Sequence, residues 1–83
     1  MAILRLPDVK KETGLRAHST IYESIRSGLF PAPVRIGQRA VGWPAEEVQA
    51  VCNARIAGCS NEQIKALVSR MFEERVNRLA PML

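Results

Sequence analysis

A chain of 83 residues has room for one domain with a thin core, because a domain of this size buries only about 60–65% of the surface its unfolded chain exposes. The composition, 47% apolar and 24% charged, is that of a globular protein, and no apolar run approaches the ~20 residues that span a bilayer. The net charge of +4 lies wholly in residues 1–43, where seven basic side chains outnumber three acidic ones, while residues 44–83 hold five of each; such an asymmetry suits a polyanionic partner.

Arg5, Pro7 and Asp8 interrupt the N-terminus before it can form the hydrophobic region of a signal peptide, so a cytoplasmic location is expected. Pro7 is tolerated at the start of a helix, Asp8 favours the first turn, and Gly14 ends a helix of about two turns over 7–13. Leu6, Val9 and Leu15 give it an apolar side. A second helix starts within Ala17–Thr20; Thr20 to Glu23 has capping-box spacing, and a start a turn earlier, at Arg16 or Ala17, is the alternative. Ile21, Ile25 and Leu29 form its apolar stripe, and Gly28 closes it. Two short helices joined by a turn containing Gly are the helix-turn-helix layout.

Phe30-Pro31-Ala32-Pro33 cannot continue a helix. Val34 to Trp43 alternates apolar and polar residues around a Gly-Gln-Arg tip, which predicts a small β-hairpin anchored by Trp43. Pro44 opens a third helix with Glu46 and Glu47 in its first turn; Val48, Val51, Cys52 and Ile56 form its stripe and Gly58 ends it. Ser60 and Gln63 make a capping box for a fourth helix, whose Ile64, Leu67, Val68, Met71 and Phe72 form a broad apolar face, extended by Val76 and Leu79 and stopped by Pro81.

Cys52 and Cys59 are seven apart, a spacing that places both on one helical face and matches no common zinc pattern; two packed free thiols, no metal and no cofactor are expected. The lone His18 has no carboxylate motif to orient it, and no phosphate-cradling glycine loop occurs, so the chain does not read as an enzyme. Residues at the start of the second helix of a helix-turn-helix meet base edges in the major groove. Here these are Arg16, His18, Ser19 and Thr20, followed by Tyr22, Glu23 and Arg26, with capping as the alternative role for Thr20 and interhelical packing for Tyr22. Arg35 and Arg39 on the hairpin would meet the DNA backbone or an adjacent minor groove, although Arg35 also suits the wet face of a strand.

Arg5-Leu6-Pro7-Asp8-Val9, Thr13-Gly14-Leu15, Ser19-Thr20-Ile21-Tyr22, Gly28-Leu29-Phe30-Pro31 and Val34 to Gly37, with Arg39-Ala40-Val41-Gly42-Trp43, together resemble the AlpA-type phage regulatory proteins, relatives of the excisionase and MerR-like winged-helix families. The resemblance spans residues 3–57. It implies a mainly α fold, a winged helix-turn-helix with a β-hairpin wing. The capping box and apolar face beyond it predict an extra helix over 60–80, longer than the family's minimal form, that packs on the domain or mediates dimerisation. The implied function is sequence-specific DNA-binding regulation of a prophage or mobile element. Two alternatives stand beside it: an excisionase-like factor that bends DNA, and an antirepressor-like protein-interaction module acting through the last helix. The expected partners are double-stranded DNA, a second copy of the chain, and an integrase or RNA polymerase.

Overall fold

A computed structural model describes the backbone of residues 3–79 and the side chains of residues 3–77. The elements in chain order are β1 (Ile3–Leu4), α1 (Leu6–Thr13), α2 (His18–Arg26), β2 (Val34–Arg35), β3 (Val41–Pro44), α3 (Ala45–Ile56) and α4 (Asn61–Leu79). Among the described residues the fold is mainly helical, with four helices and a small antiparallel sheet of order β1-β3-β2, consistent with a winged helix-turn-helix.

Each helix starts and stops for a local reason. In α1, Pro7 and Asp8 occupy the first turn and Gly14 takes the left-handed conformation at φ 75°. The helix begins one residue before Pro7, with extended Arg5 as its cap. At the end of α2, the N–H of Leu29 donates to Ser24 O (2.9 Å) and that of Gly28 to Ile25 O (3.1 Å), a Schellman closure around a glycine at φ 77°. Pro44 is the last residue of β3 and caps α3 rather than opening it. The Ser60–Gln63 capping box forms in both directions: Ser60 N–H donates to Gln63 Oε1 (2.8 Å) and Gln63 N–H to Ser60 Oγ (3.2 Å). The Thr20–Glu23 box does not form, because α2 is already helical at His18 and Thr20 lies inside it.

Val9, Ile21, Phe30, Trp43, Val48, Val51 and Met71 make one core, and Leu4, Leu6, Leu15, Ile25, Leu67 and Val68 pack against it. Trp43 is fully buried, and its indole N–H donates to Pro31 O (2.9 Å), which ties β3 to the proline turn. Three stripe positions, Ile56, Phe72 and Val76, fall outside this core. Ile56, at the last turn of α3, is 84% exposed, and Phe72 on α4 is 59% exposed. The contact stripe of α4 runs through Ile64, Leu67, Val68 and Met71, and Phe72 lies on its flank. Pro81 and the side chain of Leu79 lie outside the described residues.

Two features of the fold have no counterpart in the sequence reading. Strand β1 pairs with β3, Ile3 opposite Pro44 and Leu4 opposite Trp43. A buried ion pair joins the last two helices: Arg75 Nε donates to Glu47 Oε2 (2.9 Å), its Nη2 to Glu47 Oε1, and the same Nη2 donates to Ala32 O (2.8 Å). The guanidinium therefore binds α4 to α3 and to the turn at the base of the hairpin in one contact set.

Candidate nucleic-acid interface

Helix α2 presents two unlike faces. Ile21 is fully buried and Ile25 half-buried, which turns His18, Ser19, Thr20, Tyr22, Glu23 and Arg26 outward. Exposed Arg16 and Ala17 precede the helix, and Ala17, in the extended conformation, provides no side-chain cap. The first N–H groups of α2 thus have no side-chain acceptor from their own cap residue. Ser19, Thr20, Glu23 and Ser24 line one shallow depression on this surface.

Three rings run outward from the core beside that face. Tyr22, 37% exposed, lies edge-on to Trp43 with centroids 6.4 Å apart and planes at 65°. Exposed His18 lies one turn earlier and stacks on Tyr22, 6.0 Å between centroids and 9° between planes. Both separations fall in the range of interacting aromatic pairs. Trp43 belongs to β3, so Tyr22 links the start of α2 to the hairpin.

The hairpin pairs Val34 with Gly42 and Arg35 with Val41. Ile36 N–H donates to Ala40 O (3.0 Å), closing a tip of Gly37, Gln38 and Arg39. Arg35 and Arg39 are both exposed, Arg35 opposite Val41 in the ladder and Arg39 at the tip. Gly42 is required by crowding: a Cβ there would lie 2.4 Å from Ile3 Cγ2 and 3.0 Å from Leu4 O. The absent side chain lets β1 approach β3 from the other edge.

Of the nine residues singled out from sequence, the structure joins His18 to Tyr22 through their rings and leaves Arg16, Ser19, Thr20, Glu23, Arg35 and Arg39 exposed. Arg26 is engaged: its Nη2 donates to Glu23 Oε2 (2.8 Å), with both side chains largely in solvent. An exposed pair of this kind is worth well under about 1 kcal/mol, so Arg26 can exchange Glu23 for another anion at little cost. Trp43 is a neighbour of the site that no local pattern announces: its burial was legible in the sequence, but its contact with Tyr22 was not.

The thiols stand apart from this face. Cys52 on α3 donates to Glu12 O (3.6 Å), and burial, followed by the nearby Glu12 carboxylate, pushes its pKa above the ordinary thiol value. A thiol so held is a poor nucleophile near neutral pH. Cys59 follows Gly58 beyond the end of α3, so the two cysteines do not share a helical face; both are free and half-buried. No group of three or more His, Cys, Asp or Glu among the described residues could hold a metal ion, and none of the described helices is long and apolar enough to cross a membrane.

Residues 2–56 match the family described as prophage CP4-57 regulatory protein (AlpA). The chain is also similar to the uncharacterized protein ORF88 of Enterobacteria phage P4, with 49% identity over 55 residues. That match covers 66% of this chain and 61% of the relative's length. No solved structure matches the chain. The matched segment contains α1, α2, the three-stranded sheet and α3, and it ends before α4 begins. With its family match over residues 2–56, the chain belongs to the AlpA family of prophage regulatory proteins.

Proposed function

We propose that this protein is a sequence-specific DNA-binding regulator of a prophage or mobile element. The observation that carries the reading is the exposed polar face of α2 joined, through the Tyr22–Trp43 contact, to a hairpin with two exposed arginines. In this reading α2 enters the major groove, where Arg16, His18, Ser19 and Thr20 meet base edges or flanking phosphates. The N–H groups at the start of α2, uncapped by Ala17, suit a phosphate oxygen. Arg26 flanks them, Tyr22 stacks its ring on His18, and Arg35 and Arg39 lie along the backbone as the wing. The concentration of net positive charge in residues 1–43 supports the same partner.

Fluorescence anisotropy with duplexes from the gene's own neighbourhood, in excess random duplex, tests the proposal. Tight binding that survives the competitor is expected; equal, weak binding to every duplex would reject sequence-specific recognition. A DNA-bending assay on the preferred duplex separates a regulator from an excisionase-like architectural factor.

One observation favours a second, compatible reading. Ile64, Leu67, Val68 and Met71 are committed to the protein's own interior, yet Phe72 and Val76, one turn apart on α4, are 59% and 61% exposed. Helix-turn-helix proteins commonly read paired half-sites as dimers, and a second copy meeting at this patch would supply the pairing. Sedimentation should then show a concentration-dependent dimer that Phe72→Asp abolishes; a monomer at every concentration would contradict it.

A further inference from the structure

Tyr22 stands between two rings of very different freedom. On its inner side Trp43 is immobilised: the indole is fully buried, its N–H is bonded to Pro31 O (2.9 Å), and Phe30 packs against it with centroids 6.4 Å apart. On its outer side His18 is exposed, and the only ring contact described for it is the near-parallel stack on Tyr22. Positions four apart on a helix are neighbours, so the stack follows from the placement of His18 and Tyr22 in α2. A surface side chain without such a support samples several rotamers. A contact to a base edge is lost unless donor and acceptor lie within about 3 Å at a favourable angle.

We propose that Tyr22 is a positioning residue that transmits the placement of the wing strand to His18, so that His18 meets the duplex in an orientation fixed by Trp43. The proposal rests on α2 being the DNA-reading helix, and it deepens that reading by assigning the ring of Tyr22, rather than its hydroxyl, to specificity. Trp43 sits in the strand that also pairs with Arg35, so one rigid strand sets both the wing and the imidazole. Discrimination therefore depends on the ladder, while general attraction to the phosphate backbone does not.

The test uses the full chain. Selection from a randomised duplex pool gives the preferred site, and affinities are then measured for every single-base-pair variant of it and for random duplex. Tyr22→Phe keeps the ring and should bind like the wild type. Tyr22→Leu and His18→Ala should each lower discrimination at the same one or two base pairs by about tenfold, within the range of a good base contact. Affinity for random duplex and the salt slope should be unchanged, and the double variant should lose no more than either single one. His18→Ala alters only an exposed position and so checks the outcome if Tyr22→Leu unfolds. Equal loss for Tyr22→Phe and Tyr22→Leu would assign the effect to the hydroxyl and overturn the ladder. Additive losses, or losses at different base pairs, would overturn it as well. A wild-type chain that selects no site would instead reject the DNA reading beneath it.

Discussion

Arg75 shows how much one side chain can hold in a domain with a thin core. Its guanidinium meets both carboxylate oxygens of Glu47 and the carbonyl of Ala32, and the two side chains keep only 19% and 9% of their surface in solvent. Removing one member of such a pair strands the other charge away from water, which costs more than the net worth of the pair. Arg75→Ala is therefore expected to lower stability by about 3 kcal/mol, a large share of the 5–15 kcal/mol typical of whole domains. Urea unfolding monitored by circular dichroism would measure it. Arg75→Lys should recover only part of the loss, because one ammonium cannot reproduce the fork that serves Glu47 and Ala32 together. Arg26 makes the contrast: the same residue type bonded to the same kind of partner, Glu23, is largely solvated and contributes little.

At the level of elements, the sheet depends on a missing side chain. Gly42 lies under Ile3, and a methyl group there would collide with Ile3 Cγ2 and press on the carbonyl of Leu4. Gly42→Ala should cost about 1–3 kcal/mol through overpacking and should release β1 from β3, seen as faster amide exchange at Leu4 and Trp43. No loss on thermal unfolding would mean that β1 is not held there. Helices α1, α3 and α4 and the hairpin were legible in the sequence because each carries its own local signal: an apolar period, a stop at Gly14 or Gly58, and the Ser60–Gln63 box. Strand β1 was not, since two residues show no alternation. The exposed residues of the candidate site were legible by type and position. Their mutual arrangement was not, because the Tyr22–Trp43 and Glu47–Arg75 contacts join distant segments whose pairing leaves no local pattern.

Over the whole molecule, charge and packing divide the labour. The residues matched by the AlpA family carry the exposed α2 face and the wing, whereas α4 lies beyond the match and closes the core through Ile64 and Met71. Through Arg75 it also holds the turn from which the hairpin starts. Leu67 is half-buried in that packing, so Leu67→Asp would disturb the fold, while exposed Val76 can be changed to probe association; Phe72, whose ring lies 6.0 Å under the Arg75 guanidinium, also touches the ion pair's side chain. On the DNA side, four cations of the proposed interface, Arg16, Arg26, Arg35 and Arg39, set the expected electrostatics. Each phosphate contact contributes about −0.9 to the slope of log affinity against log salt concentration.

The most direct test of the account is the salt dependence of binding to the preferred duplex, measured for the wild type and for the Arg35→Ala, Arg39→Ala double variant. A slope near −3.6 for the wild type, falling to about −1.8 in the double variant with the preferred sequence retained, is the predicted result. A slope near zero, or a double variant as tight and as salt-sensitive as the wild type, would contradict a basic wing lying on the DNA backbone.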